Sequence, residues 1–158
     1  MSAPAPETTL TWAAWDALTP RQAYEVLRLR VDVFVVEQEC AYPELDGRDL
    51  EPSARHLLAV RDGAVVGTLR LLHDAARDDA PARARIGRVC VAASERGTGL
   101  ASRMMTAAVG AGGAGEQVLD AQAHLEHWYA RFGFRAASAP FHEDGIPHVT
   151  MTRASQEH

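Results

Sequence analysis

Six consecutive residues, Arg96-Gly97-Thr98-Gly99-Leu100-Ala101, followed by Ser102, are the part of the chain best suited to chemistry. They follow an apolar run at 86–91 and precede a helical pattern. A glycine-bearing turn between a buried strand and a helix aims unpaired backbone N–H groups, and the positive helix end, at one point. That geometry binds anions. Gly97 and Gly99 let the backbone approach closely, and Ala101 is the next smallest choice. A Walker loop requires a lysine, and the chain has none, so that reading is excluded. A dinucleotide fingerprint places its third glycine where Ser102 stands. Asp120 does follow at a strand end, but too little chain remains for a second mononucleotide half. A strand-to-helix turn whose glycines serve packing alone stays open at this level.

Other reactive side chains are less specific. Cys40 and Cys90 read as free thiols, and Cys90, in a strand without a basic neighbour, reads as packing. His124 and His127 share one helix face by their spacing. With no acid or cysteine set around them they read as surface histidines, and no metal site is expected.

The elements that position these residues follow from local signals. Residues 10–15 suggest a first strand. Thr19-Pro20-Arg21-Gln22 is a helix start, with Thr19 as cap, Pro20 at the first position and Gln22 completing a capping box. The helix is expected to reach Phe34 with Tyr24, Leu27 and Val31 on one stripe. Residues 37–55 read as a long loop. Strands at 56–60 and 64–72 are joined by Asp62-Gly63, a hairpin signal. A strand at 86–91, a helix at 100–109, a glycine-rich connector at 111–115 and a short strand at 118–121 come next. A helix at 125–132 stops at Gly133, and segments 135–137 and 148–152 form a last hairpin around Glu143-Asp144-Gly145. This order describes a mixed sheet with helices on its faces.

Bulk properties bound the function. The chain has 158 residues, enough for one domain with a real core, expected at 9–153 between tails at 1–8 and 154–158. A net charge of -5 gives no nucleic-acid surface. The amino terminus lacks a basic start and an apolar run, and the longest apolar stretches fall well short of the ~20 residues of a membrane span. A cytoplasmic location, away from membranes, is therefore expected.

Arg96, Gly99 and Ala101 also occupy the fixed positions of the coenzyme A turn, Arg/Gln-x-x-Gly-x-Gly/Ala. With this turn the chain resembles the GNAT superfamily of acetyltransferases. Longer strings are similar to its ElaA-like branch: Val33-Phe34-Val35-Val36-Glu37-Gln38, Asp46-Gly47, Ile86-Gly87-Arg88-Val89, Leu119-Asp120-Ala121-Gln122, Tyr129-Ala130-Arg131-Phe132-Gly133-Phe134 and Glu143-Asp144-Gly145-Ile146-Pro147-His148. The resemblance spans about 10–151.

The resemblance implies an α/β (α+β) fold of the GNAT type: a mixed, mostly antiparallel sheet, splayed at the cofactor site and flanked by helices on both faces. The cofactor, acetyl-CoA, would be held by Val89, Cys90 and Val91 and by Arg96, Gly97, Thr98, Gly99, Leu100, Ala101 and Ser102. Backbone groups around Val89 and Val91 would pair with the pantetheine amides as an added strand does, and an N–H near Val91 would polarise the thioester carbonyl. The implied reaction is N-acetyl transfer to a primary amine of a small molecule or peptide by direct attack, without a metal. The alternative is a non-catalytic acyl-CoA-binding module.

Tyr129 would be the general acid, since a phenol is protonated at neutral pH. Glu37, after a strongly apolar run, is expected to be partly buried with a raised pKa and is the first candidate base; Glu143, Asp144 and His148 are the others. Glu37, Glu39, Glu44, Asp46 and Asp49 crowd one loop, which either favours a cationic amine or is a solvated acidic loop. Apolar edge strands admit a homodimer.

Overall fold

The computed structural model describes residues 7–156. Eight strands form one sheet: β1 (Thr8–Ala13), β2 (Arg55–Arg61), β3 (Ala64–Asp74), β4 (Arg83–Val91), β5 (Gln117–Gln122), β6 (Arg135–Ala136), β7 (Phe141–Glu143) and β8 (Ile146–Arg153). Their order is β1-β2-β3-β4-β5-β8-β6, with β7 also on β8. All pairings are antiparallel except β4 with β5. Helices α1 (Pro20–Val31), α2 (Leu100–Ala111) and α3 (Glu126–Ala130) complete the fold.

Alternation along each strand sorts side chains onto two faces. Leu57, Leu69, Ile86, Leu119, Val149 and Met151 join Met104 and Met105 of α2 and Tyr129 of α3 in one core. Each large apolar side chain fully buried there contributes about 1.5–3 kcal/mol. The alternate positions on β3, Thr68, Arg70 and Leu72, look the other way, towards α1 and the loop after it. The helices thus cover both faces of the sheet, as its alternation requires.

Local chemistry explains the turns. Thr19 and Gln22 form both halves of a capping box, with Pro20 at the first helical position. Asp62-Gly63 and Asp144-Gly145 each have two positive φ angles, the tight hairpin turn that Asp-Gly favours.

Several expectations need correction. The buried stripe of α1 is Val26, Leu29 and Arg30, whereas Tyr24 is 68% exposed and Val31 also faces solvent. A buried arginine in that stripe reversed the reading, because apolar periodicity does not count it. The chain continues past Val31 as a π-helix, Asp32–Glu37. Residues 135–137 do run antiparallel to 148–152, as Arg135–Ala136 with Thr152 and Met151 and through the Ala137 N–H to the Thr150 carbonyl, but the tight hairpin around Asp144-Gly145 is β7 with β8. Three residues of β7 are too few to show alternation in sequence. The expected amino-terminal tail falls mostly outside the described residues, and β1 already begins at Thr8. At the other end the Gln156 N–H donates to the Ala114 carbonyl, so 154–156 is tied to the connector.

Candidate active site

β4 and β5 pair only at Ala84↔Gln117 and Arg85↔Val118, then separate. Beyond that point the facing edges of β4 and β5 have no ladder partner, and their N–H and C=O groups are open to an inserted extended chain. A bulge sharpens the split. The β3–β4 register shifts between Thr68 and Arg70, and Arg88 opposite takes a left-handed φ of 52°. Because a bulge inserts one residue, it changes which side chains face each way. Before it Ile86 faces the α2 core; after it Val89 and Val91 do.

The turn 96–102 lies at the mouth of this gap. Gly97 and Gly99 have φ of 79° and 85°, the left-handed region that glycine enters without strain. The N–H groups of Gly97, Gly99, Ala101 and Ser102 have no hydrogen-bond partner among the described residues. The Thr98 hydroxyl donates to the Glu95 carbonyl and accepts weakly from the Leu100 N–H, which fixes the bend. Leu100 is buried and anchors α2, so its side chain is structural. Four free N–H groups converging at the start of a 12-residue helix suit a pyrophosphate, and the open strand edges suit an amide-bearing arm. The residues present fit coenzyme A.

A cleft of about 950 Å³ runs through the gap and is lined by Val89, Cys90, Val91, Arg96, Ala101 and Tyr129 among others. Burial pushes the Tyr129 phenol up to about 12, so it stays protonated well above neutral pH. Its ring is held edge-on by Trp128 at 4.9 Å, and its hydroxyl has no hydrogen-bond partner among the described residues. A proton donor facing an open cleft results. Burial also pushes the Cys90 thiol up to about 12, which makes it a poor nucleophile.

The opposite wall is built from charge. Arg30, 1% exposed, donates to Glu44 at 2.7 Å and bidentately to Asp49 at 2.7 and 3.2 Å. Arg70 bridges Asp49 and Asp46, and Arg88 reaches Glu44 and Asp46 while lying over the Tyr42 ring. Arg48 and Arg85 continue the lattice through Asp74 to Asp120. The hydrogen bond from Arg70 holds the Asp46 carboxyl well below its ordinary range. Burial raises the pKa of Asp49, but hydrogen bonds and charge from Arg30 outweigh it and the net shift is downward. This corrects the reading of an acidic loop that attracts cationic acceptors: Glu44, Asp46 and Asp49 are neutralised internally.

Glu37 is corrected as well. It is about half exposed, and its carboxylate receives two hydrogen bonds from Arg96 at 2.6 and 2.7 Å. Those bonds lower its pKa, the opposite of what a base requires. Asp144 serves its turn, with φ 51°, and its carbonyl accepts from the Cys40 thiol. His148 and Glu143 both line the cleft, as does His124. Sequence reasoning missed Arg30, Arg70 and Arg88, whose partners lie 14 to 44 residues away. No local signal announces such pairs. Among the described residues no group of three or more His, Cys, Asp or Glu could hold a metal, and no helix is long and apolar enough to cross a membrane.

Comparison with known proteins agrees with this geometry. Residues 22–155 match the acetyltransferase (GNAT) domain family. A UPF0039 protein of Mycobacterium tuberculosis is 47% identical over 86% of this chain and 86% of its own. Protein ElaA of Escherichia coli is 37% identical over 86% of this chain and 90% of its own. The crystal structure of ElaA superimposes with a TM-score of 0.84 over 93% of this chain and 99% of that one, at 34% identity. That of an acyl-CoA N-acyltransferase from Pseudomonas aeruginosa gives 0.83 over 94% and 100%, at 41% identity. These relationships support acyl-CoA-dependent acyl transfer as the activity. The chain belongs to the GNAT acetyltransferase family and, within it, to the ElaA-like branch.

Proposed function

We propose that the protein moves an acetyl group from acetyl-CoA to a primary amine of a small molecule or peptide, by direct attack and in the cytoplasm. The observation that carries this reading is the parting of β4 from β5 along a cleft that the 96–102 turn, with its free N–H groups, and Tyr129 also line. In this reading the turn holds the pyrophosphate and the edges at Val89 and Val91 align the arm. Bound coenzyme A supplies the activated thioester. Tyr129 donates its phenolic proton to the sulfur as the carbon–sulfur bond breaks. Burial makes the Cys90 thiol in the cleft a poor nucleophile, which favours one-step transfer over a thioester intermediate on that residue. The free edges at β1 and β6 are the feature on which a homodimer would rest.

The test is a thermal-shift panel of acetyl-CoA, longer acyl-CoAs, free coenzyme A and NAD, followed by thiol release with primary amines. Acetyl-CoA at 100 times its Kd is expected to add about 2.7 kcal/mol of stability. NAD is expected to add none. Stabilisation by acyl-CoA without thiol release for any amine would favour the non-catalytic binding module.

A further inference from the structure

An amine attacking a thioester must lose a proton, and Glu37, held by Arg96, is poorly placed to take it. The same wall offers another acceptor. β8 carries His148 opposite Gln122 of β5 on one side and Phe141 of β7 on the other. Residues directly opposed on a ladder share a face. His148 alternates with Val149, which points into the α2 core, so the imidazole stands on the α1 side with Gln122 and Asp120. Counting four residues from Arg85↔Val118 brings β4 to Val89 and β5 to Gln122, so His148 lies level with the parted strands. It lines the same cleft as Tyr129.

Its orientation and tautomer are fixed. The ring stacks on Phe141, with centroids 6.0 Å apart and planes 23° from parallel. Nδ1 lies 2.7 Å from the Ile146 carbonyl oxygen. A carbonyl only accepts, so Nδ1 carries the proton and the neutral ring leaves its lone pair on Nε2. Nε2 has no hydrogen-bond partner among the described residues. Glu143 Oε2 stands 4.0 Å from it, beyond hydrogen-bond length. The neighbouring polar groups are engaged: Asp120 with Arg85 and Thr150, Gln122 with Gln38.

We propose that His148 is the general base of the transfer, taking the amine proton on Nε2; this rests on the N-acyl transfer reading above. The neutral amine nitrogen bonds to the thioester carbonyl carbon, and Nε2 takes one of its protons. The carbon–sulfur bond then breaks, and the sulfur takes the proton of Tyr129. Solvent reprotonates the Tyr129 phenolate and removes the extra proton from His148. The products are an amide and free coenzyme A. Acid and base thus act from opposite faces of the sheet, on either side of the gap.

The experiment uses the full chain, acetyl-CoA and three probe amines: tyramine, spermidine and a short peptide with a free amino terminus. For the amine turned over fastest by wild type, His148→Gln is expected to lower kcat about 10²–10⁴-fold. Acetyl-CoA affinity and melting temperature should stay near wild type. His148→Ala should lose as much and regain part of it on addition of free imidazole, which a purely structural histidine would not show. If His148→Gln keeps kcat within about threefold of wild type, the assignment is overturned while N-acyl transfer stands. A loss in His148→Ala that imidazole does not relieve also overturns it. If wild type acylates none of the amines although acetyl-CoA stabilises it, the transfer reading fails, and the His148 assignment with it.

Discussion

The two walls of the cleft are built on opposite principles. The wall proposed to hold the donor, made by the 96–102 turn, the end of β4 and α3, offers backbone N–H groups, small residues and one buried phenol. The wall proposed to face the acceptor, made by the loop after α1, the outer face of β3 and the β7–β8 hairpin, offers charged side chains already paired with each other. Recognition by backbone depends on local conformation, which a few glycines encode. Recognition by a charged lattice depends on groups brought together from distant parts of the chain, and it also has to hold that wall in place.

The largest effect is expected where that lattice is cut. Arg30→Met keeps much of the volume but removes the cation that buried Glu44 and Asp49 share, leaving Glu44 only Arg88 and Asp49 only Arg70. A loss of about 3–5 kcal/mol is expected in urea or thermal unfolding, more than any donor-wall change should produce. A loss near zero would mean that the loop is held by packing instead. Acid adds a second reading of the same network. Asp46, Asp49 and Asp74 have folded pKa values below their ordinary value, so their contribution is complete above about pH 4 and fades as pH falls below it. Burial lowers the pKa of His56, so the unfolded chain takes up its proton first and stability begins to fall from about pH 6.5 downward. A melting temperature that declined only on the alkaline side would contradict both.

Next in size is Tyr129→Phe, which removes one hydroxyl from the donor wall. Thiol release should fall about 10²-fold while acetyl-CoA affinity, measured by calorimetry, is unchanged. If affinity fell in proportion to rate, the hydroxyl would be a binding group and the division of labour between the walls would need redrawing. A smaller effect belongs to Gly99→Ala. A methyl group there meets nothing within 4 Å, so the φ of +85° is the whole penalty. About 1 kcal/mol of folding stability is expected to be lost, read in urea unfolding, with kcat retained once the enzyme is saturated with acetyl-CoA.

Legibility in the sequence follows the same division. The turn could be read because Gly97, Gly99 and Ala101 encode a conformation within six residues, and the capping box at Thr19 and the two Asp-Gly hairpins could be read for the same reason. Tyr129 was legible through its string, though its burial was not. On the acceptor wall, apolar periodicity mistook the buried face of α1, because Arg30 counts as polar and yet is among the most buried residues of the chain. The acids of 37–49 were visible as a cluster, but the pairing of Glu37, Glu44, Asp46 and Asp49 depends on Arg30, Arg70, Arg88 and Arg96, which arrive from four different elements. His148 was visible as a residue; its free Nε2 depends on where the Ile146 carbonyl points.

Glu37 is where the two walls touch, and its substitution is the finest test of the contrast. Its carboxylate reaches from the end of the π-helix to Arg96, the first residue of the donor turn. The pair is solvent-exposed on both sides, so it is screened by salt and weak. Glu37→Gln should therefore leave kcat within about twofold of wild type, in contrast to His148→Gln. Acetyl-CoA affinity should rise, by no more than about fivefold, because Arg96 no longer answers an internal carboxylate when a pyrophosphate approaches. Raising ionic strength weakens the internal pair in wild type and has nothing to release in the variant, so the affinity gap between the two should narrow with salt. A hundredfold fall in kcat for Glu37→Gln, with His148→Gln near wild type, would reverse the assignment: the base would be the carboxylate, and binding of the donor would have to free it from Arg96 first.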